Sequence, residues 1–282
     1  METSAQTQTE KKSAMKILEE TSRTFYIPIS YLPDKIREAV AAAYLCLRAI
    51  DEVEDHPTLE NALKAKILRQ ISVTLQTATL KSTAEDLTPN WFGVAEQLPE
   101  VTLRIGEWCL FAAEEINPRI IECTAAMADR MAYWAECNWE IKTKKDLDAY
   151  TFSVAGAVGL ILSDLWAWYE GVNTDRQLAL GFGRGLQSTN ILRNREEDKV
   201  RSVTFYPEGW TDDDMQAYAR ENLDLGKKYI DSLPADSAAL KFCKIPFALA
   251  VGTLNIIQQG KEKLGRTDVL AIVKDCLQVE SK

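Results

Sequence analysis

The sequence predicts an all-α protein, and three observations carry that expectation. Good helix formers run without Gly or Pro, most clearly in AVAAAYLCLRAI at 39–50. Alternating β-branched runs bounded by turn residues do not occur. No Gly-, Ser- or Pro-rich linker and no solenoid-length repeat divides the chain. One helical domain over 13–282, behind a disordered polar tail at 1–12, is the economical reading.

In order, a first helix reaches about Thr24 and a Pro-punctuated stretch follows from Pro28 to Pro33. A long helix then begins at Asp34 and ends before His56-Pro57. Leu59, Leu63, Ile67, Ile71 and Leu75 recur at helical spacing over 60–80. A polar connection carrying Pro89 leads to helices expected at 92–115, 118–138, 145–170, 174–195, 211–232, 236–259 and 266–277. Thr211 followed by three aspartates reads as an N-cap with acids in the first turn. The glycines of 181–185 and of SVAGAVG read as close-packing positions, since no strand precedes them and no GK[ST] follows.

The 282 residues are 46% hydrophobic, enough for a large core, and the net charge is −9. That balance argues against nucleic acid as a partner, which a basic face would serve. An anionic ligand would need metal ions or a local Arg cluster to reverse the sign. Six scattered cysteines form no CxxC pair and His56 is the one histidine, so zinc chemistry and His-based nucleophilic catalysis are disfavoured. The thiols read as reduced, which suggests a cytoplasmic protein. The N-terminus lacks a secretory pattern, and no run of 18 apolar residues appears.

Two polar stripes interrupt this apolar background. Tyr44, Arg48, Asp51 and Asp55 are spaced 0, 4, 7 and 11, one face of a helix, with Glu54 beside them. Two carboxylates at i,i+4 repel each other, which suggests a cation between them; a solvated acidic helix end is the alternative. Gln187, Asn190, Asn194 and Asp198 are spaced 0, 3, 7 and 11, flanked by Arg193. Their hard oxygens suit Mg²⁺, and a polar network between helices is the alternative. Together the stripes suggest a diphosphate held through Mg²⁺, with Arg23, Arg48 and Arg193 as an anion clamp. Phe25, Tyr44, Phe152 and Phe242 would wall off an allylic cation from water.

The segments Thr21-Ser-Arg-Thr-Phe25, Tyr44-LCLRAIDEVEDH, Val154-AGAVG, Gln187-STNILRNREED, Phe205-YPEGW and Phe242-CKIP resemble, in order and spacing, the squalene/phytoene synthase family. The resemblance implies an all-α isoprenoid synthase fold around a central cavity. It implies Mg²⁺-dependent head-to-head condensation of two farnesyl diphosphates to a presqualene diphosphate or squalene-type C30 product, with or without NADPH. It assigns Asp51, Glu54, Asp55, Asn190, Asn194 and Asp198 to metal. Ser22, Arg23, Phe25, Gln187, Asn190 and Arg193 would bind substrate, and Tyr44, Arg48, Asp51, Asp55, Asp198 and Tyr150 would serve catalysis. A monomer or homodimer with peripheral membrane contact is expected. Three departures are plain: Asn194 opens a motif that normally begins with Asp, Ser153 stands where a tyrosine is common, and Val203 where Arg is expected. Tyr150, one turn before Ser153, is the candidate replacement. The departures keep a second reading open, a single-substrate terpene synthase or farnesyl diphosphate phosphatase, and a third, a binding protein without catalysis.

Overall fold

A computed structural model describes residues 2–200, 203–261 and 263–278; the side chains of residues 2–10, 23 and 278 lie outside that description. Among the described residues there is no strand. The chain divides into two compact units, Met1–Cys137 and Asn138–Lys282.

In the first unit, α1 (Glu2–Thr21) takes in the stretch that composition suggests as a tail. Ser22 stops it. The residue is extended (φ −157°, ψ 102°) and its side chain accepts from the Phe25 backbone N–H at 3.2 Å, capping α2 (Arg23–Ser30). Pro28 lies inside α2, where the sequence suggests irregular chain, and Pro33 is the N-cap of α3 (Asp34–Glu54). Ala39, Ala41, Ala42, Ala49 and Ile50 are fully buried on α3. Such small side chains let backbones approach, and each fully buried Ile or Leu adds about 1.5–3 kcal/mol. Helix α3 packs against α4 (Asn61–Gln76) and α7 (Asn117–Glu136), which also pack along each other.

The single helix expected at 92–115 is not formed. Phe92 and Gly93 take positive φ (51° and 81°), and a 3₁₀ turn (Ala95–Gln97) and two short helices, α5 (Glu100–Leu103) and α6 (Ile105–Cys109), follow. Thr102 Oγ1 donates to the Ala49 carbonyl at 3.0 Å and pins this segment to α3.

In the second unit, α8 (Lys144–Thr151) passes through a π-helical turn, Phe152–Gly156, into α9 (Ala157–Glu170), which Gly171 ends at φ 69°. Helix α10 (Arg176–Val200) packs against α8, the π turn, α9, α11 (Asp212–Asp231) and α12 (Ala238–Gln258); α13 (Arg266–Gln278) packs on α12. Glycines permit this crowding. A Cβ on Gly159 would lie 2.2 Å from the Ala179 carbonyl oxygen, and one on Gly183 would lie 2.3 Å from that of Ala155. The glycine-rich segment of α10 thus serves close packing. Residues 144–170 and Ala238–Gln258 are long and apolar enough to cross a membrane by length and composition, although neither is an unbroken apolar run.

Candidate functional site

The two stripes fall on α3 and α10, one in each unit, and each is organised within its own unit. On α3, Tyr44, Arg48 and Asp51 are half-buried at the edge of the packed face, and Asp55 is the exposed C-cap. Glu54 is buried, 4% exposed, so the structure separates it from the other two acids by environment. Arg48 Nη1 donates to Asp51 Oδ2 at 2.5 Å, and Nη2 pairs with Glu52. Glu52 was not singled out by the stripe; its i,i+4 spacing from Arg48 was the available signal. Arg48 Nε is buried without a partner, so the fork presents one unused donor. Burial, then the charge of Asp55, pushes the Asp51 carboxyl up to about 7, with Arg48 pulling the other way.

Ser22, Phe25 and Tyr44 gather at the start of α2. The Phe25 and Tyr44 rings lie 5.7 Å apart. Burial raises the Tyr44 phenol above its ordinary value, against hydrogen bonding with Ser22 and the charge of Arg48. The expectation for Arg23 concerns a side chain outside the described residues.

On α10, Gln187, Asn190, Asn194 and Asp198 are all half-buried, while Ser188, Thr189, Ile191 and Leu192 between them are buried. The stripe is therefore one continuous, partly accessible polar edge. Arg193 Nε donates to Asn194 Oδ1 at 3.0 Å, occupying the oxygen that a cation would take. Asp198 lines a cleft of about 620 Å³ with Arg195, Lys142, Tyr206, Trp139 and Trp210. Asn138 and Trp139 at its rim have φ of 52° and 50°, a left-handed pair without glycine.

This cleft was not foreseen in the sequence. Tyr206 donates its hydroxyl to Asp212 Oδ1 at 2.8 Å, Arg195 pairs with the same oxygen, and the Arg195 guanidinium lies 4.8 Å from the Tyr206 ring. Burial, then the bond to Asp212, raises the Tyr206 phenol. Asp212 read from sequence only as a first-turn acid, and nothing local tied it to Tyr206 or Arg195.

Tyr150 is 5% exposed and stacked on Phe205, centroids 4.7 Å apart. Ser153, in the π turn, donates to the Ala149 carbonyl at 2.7 Å. Phe242 packs on Trp166 at 5.7 Å, in the interior of its unit. Val203 donates its backbone N–H to the Asp198 carbonyl at 3.1 Å. The neighbouring Arg201 and Ser202 lie outside the described residues.

Against known proteins, residues 18–217 match the family model described as squalene/phytoene synthase. The chain is similar to the squalene synthases of Rattus norvegicus (29% identical over 268 residues, 86% of this chain) and Schizosaccharomyces pombe (31% over 274 residues, 85% of this chain). It spans 62% and 58% of the length of these two relatives. The solved structure of TcSQS in complex with the ligand E5700 superposes with a TM-score of 0.75 at 25% identity, covering 94% of this chain and 85% of the other. A dehydrosqualene synthase structure shares the fold at 19% identity and a TM-score of 0.66, covering 99% of each chain. The architecture is the all-α isoprenoid synthase fold. The family model covers both polar stripes and the π turn between them in sequence, and on that span the chain belongs to the squalene/phytoene synthase family.

Proposed function

We propose that this chain is a Mg²⁺-dependent prenyltransferase that joins two farnesyl diphosphates head to head into a C30 product. The observation that carries the reading is the Arg48, Asp51 and Asp55 group on α3, inside the segment matched by the family. Among the described residues no three acids, cysteines or histidines gather into a metal cage. Mg²⁺ does not need one: it takes one or two carboxylates and completes its shell with water and substrate phosphates. Asp51 and Asp55 fit that requirement: burial first, and the charge of Asp55 second, raise the Asp51 carboxyl, and a bound cation would offset both. On α10, Asp198, Asn190 and Asn194 offer hard oxygens of their own to a cation. The ion, when bound, would neutralise the diphosphate as a leaving group.

The residues of the chain do the remaining work. Arg48, held by Asp51 and Glu52, sets a guanidinium suited to phosphate oxygens beside the carboxylate that would take the metal. Phe25 and Tyr44 give an aromatic wall that excludes water from a developing cation. The reading carries with it a cytoplasmic protein that visits membrane surfaces to release an apolar product.

A second reading, turnover of one prenyl diphosphate to a C15 alcohol or hydrocarbon, is favoured by two observations. Asn194 Oδ1 is engaged by Arg193, and the Ser153 hydroxyl is turned onto the Ala149 carbonyl. Mass spectrometry of the organic extract from purified protein, Mg²⁺ and farnesyl diphosphate decides between them. A C30 product supports coupling, and its dependence on NADPH reads the contribution of the Val203 loop. Only C15 products establish the second reading.

A further inference from the structure

The acidic end of α3 carries a pairing that neither polar stripe accounts for. Glu52 lies in the last turn of α3, where the helix dipole disfavours an acid, and no basic side chain stands in that turn. Its carboxylate accepts from Arg48 Nη2, one turn back. Arg before Glu at i,i+4 is the weaker of the two orders for a helix. Both side chains are also partly open to solvent, at 31% and 27%, where such a pair stabilises little. Helix stability therefore does not explain the acid at 52.

The same guanidinium gives its other terminal nitrogen to Asp51, Nη1 to Oδ2 at 2.5 Å. One cation thus serves two neighbouring carboxylates from the two ends of its fork. The two acids differ in their other claims. Asp51 is the acid assigned to the metal, and Glu52 belongs to neither stripe. A divalent ion at Asp51 carries twice the charge of a guanidinium and competes with Arg48 for that carboxylate. Were Asp51 the sole anchor, metal binding would cast a long side chain loose and return its rotamer freedom. With Glu52 present, Nη2 stays held and Nη1 alone is released.

We propose that Glu52 is a positioning residue: it keeps Arg48 beside the metal once the ion has taken Asp51, so that the freed Nη1 meets an oxygen of the metal-bound diphosphate. The inference rests on the proposed function, and it predicts a result opposite in sign to simple electrostatics. Glu52 is an acid close to an anion site. By charge alone, its removal should tighten anion binding. As the anchor of Arg48, its removal should loosen it.

Isothermal titration of inorganic pyrophosphate reads this without turnover, at a Mg²⁺ concentration high enough that doubling it leaves the affinity unchanged. Glu52→Gln should bind pyrophosphate about tenfold more weakly than the unaltered protein, with the helical circular dichroism intact. Arg48→Met should weaken binding by at least as much. Adding Glu52→Gln to Arg48→Met should cause no further loss, because no guanidinium is left to hold. Binding by Glu52→Gln that equals or exceeds that of the unaltered protein overturns the assignment, whatever affinity remains in Arg48→Met. A loss that persists in full beside Arg48→Met overturns it as well. An unaltered protein that binds no pyrophosphate with Mg²⁺ refutes the proposed function itself, and the role of Glu52 falls with it.

Discussion

Arg48 and Asp51 stand one turn apart on α3, their Nη1 and Oδ2 atoms separated by 2.5 Å. The cationic group suited to phosphate and the carboxylate suited to a metal thus hold each other in place. Replacing Asp51 with Ala removes the proposed metal ligand together with a carboxylate that Asp55 repels. Turnover should fall by about 100-fold or more, a loss typical for an electrostatic group acting at the reacting centre. The melting temperature should stay level or rise, because Glu52 still holds Arg48. Steady-state rates at saturating Mg²⁺ with a parallel thermal melt check both halves, and full activity would remove Asp51 from the metal assignment.

Asn194→Asp restores a charge where α10 has an amide. The Mg²⁺ concentration for half-maximal turnover should fall several-fold, since a carboxylate is the stronger hard ligand. A Mg²⁺ titration at fixed substrate reads this directly, and an unmoved midpoint means that Asn194 serves its bond with Arg193 instead.

Tyr150 separates packing from chemistry in one substitution. Tyr150→Phe keeps a ring to stack on Phe205 and deletes only the hydroxyl. If that hydroxyl assists diphosphate departure, kcat drops by about 100-fold with Tm unchanged. Unchanged kcat takes the Tyr150 hydroxyl out of the chemistry.

Gly159→Ala and Gly183→Ala each drive a methyl group onto a backbone carbonyl, at 2.2 and 2.3 Å. Neither obstacle is a flexible side-chain end, so α10 must move away from α9 in the first variant and from the π turn in the second. A loss of about 1–3 kcal/mol is expected in urea unfolding for each.

The capping boxes give the fold an acid limit. Asp146 accepts from the Thr143 hydroxyl and backbone N–H, and Asp214 accepts from the Thr211 backbone N–H and hydroxyl; these bonds hold both carboxyls below their ordinary value. A carboxyl lowered by folding contributes stability that is complete above its unfolded pKa, about 3.9, and is lost as pH falls through the folded value. Melting temperature measured from pH 6 down to pH 3 should decline in the lower part of that range. Asp214→Ala should lower Tm at pH 6 and flatten the decline.

Helix α3 was legible to the residue because its signals are local: Pro33 before it, a Gly- and Pro-free interior, and His56-Pro57 after it. The α10 stripe was legible for the same reason, since four polar residues at helical spacing need no partner to be recognised. The long helix expected at 92–115 fails at Pro99, which caps α5 and was a breaker legible in the sequence, whereas the positive φ at Phe92 is a tertiary outcome that its residue type does not announce. The cleft around Asp198 was hidden by distance along the chain. Arg195, Tyr206 and Asp212 come from a helix, a loop and a second helix start, and only folding joins them. Glu54 shows the converse: spacing placed it beside Asp55, and burial set it apart.

The π turn at Phe152–Gly156 uncouples chain length from phase. Such a turn winds one residue more than the α-helical number into a single turn, whereas elsewhere in an α-helix each residue accounts for roughly 100° of rotation. Deleting Val154 would let the segment rewind as α-helix and leave Gly159 facing the Ala179 carbonyl. Deleting Val158 from α9 would instead rotate the following turns and bring a residue with a Cβ against α10. The same loss of one residue is thus absorbed at Val154 and transmitted at Val158.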